Sequence, residues 1–503
     1  MARRKLKVLL IANRGEIALR IIRTARAMGI KTVAVYSEAD AHSMHVAAAD
    51  DARLIGPAEA AHSYLNIAAI IAAARESGAD AIHPGYGFLS ERPDFARAVD
   101  DAGIIFVGPP AAVMAQLGDK LAARRLATES GVPVVPGIET AEVAAAREFA
   151  AREGYPVLVK AAAGGGGRGM RVVEAAAGLA AALEAAAREA YAAFGDGRIF
   201  VEKYLARPRH VEVQFLGDQH GNIVTMGERD CSIQRRHQKL VEESPAPGLD
   251  GAIREAMLAA ATRLAQAAAY TSAGTAEFLL EGGRFYFLEV NARLQVEHPI
   301  TEIRFGCDLV AEQIKIAMGE HVDTPAAPRG CALECRINAE DAAAGFRPAI
   351  GTVLELRIPS GPGVRFDTHL ARGAEVSAFY DGLLGKLITY GADREQARRR
   401  MSGALDELAI LGVTNTAAFV RDVIASEAFA RADLSTRFIE EHFPDWPREG
   451  RAETDAALIA AALTAAGALG ASPGYTVGRN TAAQAGDRSP WTRLGSFELW
   501  RRS

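Results

Sequence analysis

Two apolar segments joined by a glycine pair decide how this chain folds: Thr275-Ala-Glu-Phe-Leu-Leu280 and Phe285-Tyr-Phe-Leu-Glu-Val-Asn291, with Glu281-Gly-Gly-Arg284 between them. Both segments are rich in aromatic and aliphatic residues, and a short glycine turn between two such runs is typical of a β-hairpin. Each strand nevertheless carries a glutamate in its centre. A buried hairpin with a carboxylate on each strand indicates a ligand site rather than a purely structural element.

The length of the turn fixes the chemistry of this hairpin, because a shift of one residue moves each side chain to the other face. A two-residue loop would pair Glu281 with Arg284 and separate Glu277 from Glu289. A three-residue loop with a bulge would pair Glu281 with Phe285 and place Glu277 directly opposite Glu289. We predict the three-residue loop, which leaves one face wholly apolar, with Ala276, Phe278 and Leu280 against Val290, Leu288 and Tyr286. Facing carboxylates repel unless cations lie between them, so we expect a Mg²⁺ site.

The chain continues from this strand with an unusual density of polar groups. Asn291, Arg293, Gln295 and Glu297 follow at two-residue spacing, so they would project to one side if the segment stays extended. An arginine beside amides suits a small planar oxyanion, and Glu297 would be placed to act as a general base. An Arg293–Glu297 ion pair that only knits the loop together is the alternative that stays open.

Composition limits the class of protein. The 503 residues are 49% hydrophobic with a formal net charge of -5, so the chain can bury several cores and lacks the basic excess that nucleic-acid binding requires. Four cysteines, Cys231, Cys307, Cys331 and Cys335, are too few for a disulfide framework and lack zinc-finger spacing. The apolar run behind the basic amino terminus stops at Asn13, and no apolar stretch is long enough to span a membrane. We predict a cytoplasmic protein that binds neither nucleic acid nor membrane.

Lysine usage narrows the search for functional residues. Of 57 basic residues only nine are lysine, so arginine is the default cation of this chain. A lysine that persists against this bias indicates a need for a compact point charge that the wide guanidinium cannot replace. Five of the nine, namely Lys120, Lys160, Lys203, Lys239 and Lys386, fall within motifs described below.

Alternating patterns divide the chain into four parts. We predict a doubly wound parallel α/β domain at 1–115, a second domain at 116–330, an α+β domain at 331–446, and a tail at 447–503 that could begin a further domain. The first turn of the α/β domain has one glycine rather than the dinucleotide fingerprint, so we interpret that domain mainly as scaffold.

A glycine-rich segment lies between two predicted strands of the second domain. Gly164, Gly166 and Gly169 satisfy G-x-G-x-x-G, but a strand follows instead of a helix and no P-loop lysine is present. We interpret it as a flap whose backbone amides close over phosphates. A merely flexible loop is the alternative reading.

These segments together resemble the biotin carboxylase component of biotin-dependent carboxylases. The resemblance extends from about residue 5 to 445 and rests on seven motifs: Ile82–Glu91, Val201–Leu205, Pro208–Glu212, Arg229–Lys239, Glu289–Thr301, Glu334–Asp341 and Tyr380–Ile388. It implies an ATP-grasp fold at 116–330 with a mobile glycine-rich lid at about 132–204, followed by a carboxyl-terminal α+β biotin carboxylase domain. The loop Phe346–Gly351 departs from the family pattern.

The resemblance implies a role for individual residues. The residues implied for ATP are Lys120, Lys160, Gly165, Gly166, Glu202, Lys203, Leu205, His210, Gln234 and His237. Those implied for Mg²⁺ or Mn²⁺ are Glu277, Glu289 and Asn291. Those implied for bicarbonate and biotin are Arg293, Gln295, Val296, Tyr86 and Arg336. The implied catalytic set is Glu297 as base, with Arg293, Arg336 and Lys239.

The resemblance also implies the reaction and its partners. Bicarbonate would attack ATP to form carboxyphosphate, whose breakdown carboxylates biotin as the first half-reaction of an acyl-CoA carboxylase. No methionine precedes a lysine, so biotin would be carried on a separate carrier protein or domain. A carboxyltransferase subunit and a homodimer are expected, and the Ser489-Pro-Trp ending favours an acyl-CoA system over pyruvate or urea.

Three other functions remain to be weighed. Another bicarbonate-activating ATP-grasp ligase, such as a carbamoyl-phosphate or purine-pathway enzyme, would differ in lacking biotin-dependent ATP hydrolysis. A catalytically inactive scaffold subunit is disfavoured by the complete set of candidate residues. A dinucleotide oxidoreductase is disfavoured by the missing glycine fingerprint.

Overall fold

The computed structural model describes residues 5–161, 170–194 and 197–446. Gly164, Gly165, Gly166 and Gly169 of the predicted flap, and the predicted tail, lie outside the described residues. Within the described ranges no helix is long and apolar enough to cross a membrane. All four cysteines are free.

The amino-terminal part is a five-stranded parallel sheet, as the alternating pattern predicts. Its strand order is β3-β2-β1-β4-β5. The strands are β1 (Val8–Ile11), β2 (Lys31–Ser37), β3 (Asp51–Gly56), β4 (Ala81–His83) and β5 (Ile105–Phe106). The helices are α1 (Gly15–Ala27), α2 (Met44–Ala48), α3 (Ile67–Glu76), α4 (Pro93–Asp101), α5 (Ala111–Gly118) and α6 (Lys120–Glu129). Short 3₁₀ turns lie at Glu38–Asp40 and Ala60–His62.

The predicted lid contains a small antiparallel sheet with its own core. Two helices pack on it through apolar residues at helical spacing, among them Phe149 and Leu183, which are both buried. Its elements are β6 (Gly137–Glu139), α7 (Val143–Glu153), β7 (Val157–Ala161), β8 (Arg171–Val173), α8 (Ala176–Phe194) and β9 (Ile199–Lys203). Strands β7 and β8 pair antiparallel across the glycine-rich segment, as predicted for a flap between two strands.

An eight-stranded sheet connects the second and third parts of the chain, with strand order β14-β13-β10-β11-β12-β15-β22-β20. Its first five strands precede residue 330 and its last three follow it, and β12 joins the two groups by pairing with β15. The earlier elements are β10 (Arg209–Gly217), β11 (Ile223–Arg235), β12 (Gln238–Ser244), α9 (Gly251–Ala267), β13 (Ser272–Glu281), β14 (Arg284–Asn291), α10 (His298–Phe305) and α11 (Leu309–Ala317).

The carboxyl-terminal part is α+β, as predicted. Its strands are β15 (Cys331–Asn338), β16 (Glu340–Asp341), β17 (Arg347–Pro348), β18 (Gly351–Thr352), β19 (Glu355–Arg357), β20 (Val364–Thr368), β21 (Glu375–Val376), β22 (Leu383–Gly391) and β23 (Ala409–Leu411). Its helices are α12 (Arg394–Glu407), α13 (Ala417–Ala425), α14 (Glu427–Ala430) and α15 (Phe438–His442), with a 3₁₀ turn at Ala342–Ala344. The loop Phe346–Gly351 contains β17 and packs Phe346 edge-on against Phe419.

Candidate active site

A row of charged residues crosses four neighbouring strands of the large sheet. Arg229 on β11 lies opposite Glu212 on β10, Glu212 lies opposite Glu277 on β13, and Glu277 lies opposite Glu289 on β14. Directly opposite residues share a face of a sheet, so the four side chains extend to the same side. The row aligns three carboxylates with one guanidinium in the interior of the protein.

The hairpin confirms the predicted pairing of Glu277 with Glu289 but not the predicted turn. The loop has two residues, because Glu281 pairs with Arg284, and the register shift falls between Glu277 and Phe278 instead. Phe278 therefore pairs with Phe287 rather than with Leu288. Phe287 is buried in the core and Leu288 is 42% exposed, so the predicted apolar face was wrong at this position. The bulge places one extra residue, Leu288, on β14, and this residue brings Glu289 opposite Glu277.

Lys239 lies at the centre of the site and binds three carboxylates. Its Nζ is 2.5 Å from Glu212, 2.8 Å from Glu277 and 2.7 Å from Glu297. All three carboxylates are at most 5% exposed, and an ammonium with three donors can satisfy each of them. Arg229, which is fully buried, donates to the other oxygen of Glu212 at 2.5 Å.

Glu297 is held between cations from two parts of the chain. Lys239 of β12 contacts one oxygen, and Arg336 of β15 donates to the other at 2.8 Å. Arg336 also donates to Glu242 at 2.6 Å. These contacts bring together three residues that the resemblance implied as catalytic. Glu297 itself is fully buried behind the two cations.

Burial and neighbouring charges shift the pKa values of the groups in this cluster in different directions. Burial alone would raise the pKa of Glu297, but Lys239 and Arg336 lower it well below its usual range. Glu297 is therefore ionised at neutral pH, as a general base must be. Burial would lower the pKa of Lys239, but Glu212 and Glu277 raise it well above its usual value. Burial raises the pKa of Glu242 to about 7 despite the charge of Arg336.

The residues after β14 form the corner for which the sequence predicts bicarbonate binding, although the predicted extended conformation ends early. The chain bends at Arg293, turns at residues 296–297 and enters α10 at His298, so Glu297 does not continue the two-residue alternation. Arg293 donates to the side-chain oxygens of Asn291 at 2.9 Å and Gln295 at 3.0 Å. Both amides donate in turn to Glu277. The alternative reading, an Arg293–Glu297 ion pair, is not what the structure has: Arg293 instead contacts Glu91 at 2.9 Å.

The other candidate residues in the described part of the chain line a cavity of about 1860 Å³. It is bounded by β-structure from the lid on one side and by the large sheet on the other, and carboxyl-terminal residues complete it. The predicted residues that line it are Tyr86, Lys120, Lys160, Glu202, Lys203, Leu205, His210, Gln234, His237, Lys239, Glu277, Glu289, Asn291, Arg293, Gln295, Val296 and Arg336. A space of this size between two β-structures accommodates a nucleotide together with a second substrate.

The end of the cavity that contains the residues predicted for ATP mixes apolar and charged groups. Leu205, Leu279 and Leu288 offer apolar surface for a base, while Lys160 on β7 holds Glu202 on β9 at 2.7 Å. Lys120 lies at the first position of α6, next to Asp119, whose side chain caps the helix by accepting from the amides of Leu121 and Ala122. These cations suit a polyphosphate.

The facing carboxylates fit a divalent cation. Burial and the charge of Glu277 both raise the pKa of Glu289, and among the described residues no donor forms a hydrogen bond with its carboxylate. A carboxylate that faces another in this way is what a hard divalent ion stabilises. Asn291 lies directly beyond the pair, and its amide oxygen, which accepts from Arg293, has a second lone pair that could bind a cation. The predicted set Glu277, Glu289 and Asn291 is therefore consistent with Mg²⁺ or Mn²⁺.

Sequence reasoning missed several residues of this site. Glu212, Arg229 and Glu242 fill its interior, and Glu91 orients Arg293. Polar residues at two-residue spacing on β10, namely His210, Glu212 and Gln214, were an available signal, because alternation of this kind marks one face of a strand. The position of Glu91 had no comparable signal, since it depends on contact between separate domains.

Comparison with known proteins agrees with this geometry. Three family models match: "Biotin carboxylase, N-terminal domain" at residues 5–114, "Carbamoyl-phosphate synthase L chain, ATP binding domain" at 119–324, and "Biotin carboxylase C-terminal domain" at 334–441. The biotin carboxylase of Pseudomonas aeruginosa is 49% identical over 446 residues, which cover 87% of this chain and 98% of that protein. The mitochondrial propionyl-CoA carboxylase alpha chain of Homo sapiens is 46% identical over 445 residues, 87% of this chain and 61% of that one.

A solved structure supports the same assignment. The biotin carboxylase domain dimer of the Hydrogenobacter thermophilus 2-oxoglutarate carboxylase, in complex with MgADP, ADP and bicarbonate, superposes with a TM-score of 0.82 at 43% identity. The match covers 89% of this chain and all of that one. Family models, curated relatives and the solved fold thus coincide over the three parts that build the cavity. This chain therefore belongs to the biotin carboxylase family.

Proposed function

We propose that this protein carboxylates biotin with ATP and bicarbonate and forms ADP and phosphate. The observation that carries the proposal is the placement of Glu297: an ionised, buried carboxylate held by Lys239 and Arg336, next to an anion corner and a pair of facing carboxylates. This placement supports a site in which a base, an anion and a metal ion would meet at the phosphate end of a nucleotide. A scaffold protein has no need for such an arrangement.

Bicarbonate would bind at Arg293, Gln295 and Val296. Arg293 is oriented by Glu91 and by two amides, so its guanidinium is positioned before the anion arrives. Glu297 then accepts the proton of bicarbonate, and the resulting oxyanion attacks the γ-phosphorus of ATP. The bond between γ-phosphorus and the β,γ-bridging oxygen breaks, so that carboxyphosphate and ADP form.

Biotin would bind on the side of Arg336 and Tyr86. Carboxyphosphate breaks down into CO₂ and phosphate, and the phosphate takes the proton from the ureido nitrogen of biotin. Arg336 stabilises the negative charge that develops on the ureido oxygen, and the nitrogen attacks CO₂. Glu242 would balance Arg336 in the resting site, because a cation without a counter-charge would be costly to bury.

ATP would be held by the cavity-lining residues named above, with Gly165 and Gly166 added from the glycine-rich flap. A divalent ion at Glu277, Glu289 and Asn291 would neutralise the charge that spreads over the β- and γ-phosphates. The two-sided cavity also supports the proposed boundaries, with the second domain at 116–330 and its lid at about 132–204.

The family supports a set of partners as well. We propose a biotin carboxyl carrier protein or domain, a carboxyltransferase subunit and a homodimeric state. The H. thermophilus relative is a dimer, and the human relative is a chain of propionyl-CoA carboxylase. An acyl-CoA acceptor and a cytoplasmic location stay predictions.

The test is ADP formation with ATP, Mg²⁺ and bicarbonate, measured with and without free biotin. We expect turnover that rises several-fold on addition of biotin and that requires bicarbonate. Bicarbonate-dependent turnover without any response to biotin would favour the other ATP-grasp ligases and refute the proposal. Absence of turnover in a folded protein that binds ATP would favour the scaffold reading.

A further inference from the structure

Lys386 is one of the five lysines singled out from the sequence, and the proposed reaction assigns it no role. It lies on β22, is fully buried and is not among the residues that line the cavity. In the sheet it stands directly opposite Arg336 on β15. The two cations therefore share a face of the sheet, and both are directed toward the segment that contains Glu297.

The contacts of Lys386 join three parts of the chain. Its Nζ donates to the backbone carbonyl of Val296 at 2.8 Å and lies 3.3 Å from a carboxylate oxygen of Glu16 on α1. The same Glu16 oxygen accepts a hydrogen bond from the hydroxyl of Tyr86. Glu16, Tyr86 and Val296 all line the cavity. Lys386 thus lies behind the cavity wall and contacts two residues of that wall, Val296 and Glu16.

The bond to Val296 has a specific geometric effect. The carbonyl of Val296 and the N–H of Glu297 belong to one rigid, planar peptide group. Fixing the carbonyl therefore also fixes the direction of that N–H and the start of the Glu297 side chain. Arg336 holds the carboxylate of Glu297, and Lys386 holds the peptide group that precedes it.

The chemistry of the position explains why it is lysine in a chain that prefers arginine. A fully buried site that offers one carbonyl and one carboxylate suits a compact ammonium, whereas a guanidinium has five donors and a wider shape to satisfy. Without the ammonium, both the Val296 carbonyl and Glu16 would lose a partner inside the protein.

We propose that Lys386 is a positioning residue for the carboxylation reaction: it orients the Val296–Glu297 peptide group, and through Glu16 it couples this segment to Tyr86. The inference rests on the proposed function. Its consequence is that the bicarbonate site should depend on Lys386, while the nucleotide site, which is built on α6, the lid and β10 to β14, should not.

The experiment compares Lys386→Met with wild type and with Lys315→Met as a matched control. Methionine keeps most of the volume and removes the ammonium. Lys315 is a partly exposed lysine on α11 that pairs with Glu312, outside the cavity. The KM values for bicarbonate and ATP and the kcat are measured by biotin-dependent ADP formation, and the folded fraction by thermal denaturation.

We expect Lys386→Met to lose up to ~10²-fold in kcat/KM for bicarbonate, since misplacement of a reacting group by about 1 Å has effects of this order. At least tenfold of the loss should appear as a higher KM for bicarbonate, with the KM for ATP within about twofold of wild type. Lys315→Met should match wild type in both.

A bicarbonate KM within twofold of wild type, or an equal loss for ATP and bicarbonate, would overturn the inference. If Lys386→Met does not fold, the variant Glu16→Gln provides the test of the inference instead. It retains an acceptor for Tyr86 and removes the carboxylate that Lys386 contacts at 3.3 Å, so the bicarbonate KM should rise several-fold while the KM for ATP does not; an unchanged bicarbonate KM overturns the inference. Wild-type protein without biotin-dependent turnover would instead refute the proposed function itself.

Discussion

The substitution Glu297→Gln separates catalysis from structure at the centre of the site. The side chain is fully buried and accepts bonds from Lys239 at 2.7 Å and from Arg336 at 2.8 Å. Glutamine keeps one acceptor oxygen, so one of the two bonds persists. Loss of a hydrogen bond to a charged group costs about 1.5–3 kcal/mol of stability. No cation is left unpaired, because Lys239 retains Glu212 and Glu277.

The effect on the reaction has a different origin. An amide cannot take the proton of bicarbonate, and removal of a positioned base lowers the rate by ~10²–10⁴. This factor corresponds to about 2.7–5.4 kcal/mol in the activation barrier. The affinity for ATP should remain near that of wild type, because Glu297 lies behind Lys239 and Arg336 rather than on the nucleotide.

The assay combines bicarbonate- and biotin-dependent ADP formation, ATP binding by calorimetry, and chemical denaturation. Glu243→Gln is the matched control: Glu243 is another buried glutamate, held by Arg394 at 2.7 and 3.2 Å, outside the cavity. It should lose stability without a specific loss of turnover. If Glu297→Gln behaves like Glu243→Gln, with near-normal turnover and reduced stability, Glu297 is a structural ion-pair partner and the reasoning fails.

Three further predictions concern other groups. Arg336→Ala should leave ATP affinity within about twofold and suppress carboxybiotin formation, whereas Lys160→Ala should weaken both; equal loss of ATP affinity in the two variants would contradict the assignment of Arg336. Glu289→Gln should raise the Mg²⁺ concentration for half-maximal turnover at least ~10-fold, and an unchanged Mg²⁺ titration would exclude Glu289 as a ligand. Burial would raise the pKa of Asp40, but Arg14 lowers it from 3.8 to about 2. Asp40 should therefore contribute about 2 kcal/mol above pH 3.8, lost as the pH falls toward 2; denaturation of wild type and Asp40→Asn would refute this if their difference stayed constant over that range.

Local patterns in the sequence determined most of the secondary structure. Alternation of apolar runs predicted the parallel sheet of β1 to β5, and the glycine pair at 282–283 predicted the hairpin of β13 and β14. These signals are local, because turn chemistry and strand periodicity depend on residues within about ten positions of one another. The length of the turn could not be predicted from neighbouring residues alone. It depends on tertiary packing, because Phe287 lies in the core and Leu288 forms the bulge.

The sequence by itself determined which chemical groups the site contains: lysines kept against an arginine bias, and carboxylates and amides within apolar strands. Only the tertiary structure decided which of them meet. Arg336 contacts Glu297, which is 39 residues away in the sequence, and Lys386 contacts Val296, which is 90 residues away. Such contacts require the pairing of β12 with β15 and of β15 with β22, which places cations from the carboxyl-terminal part beside carboxylates of the preceding one. A buried charge is stable only beside its partner, and no pattern along the chain identifies a partner that the fold brings from so far away.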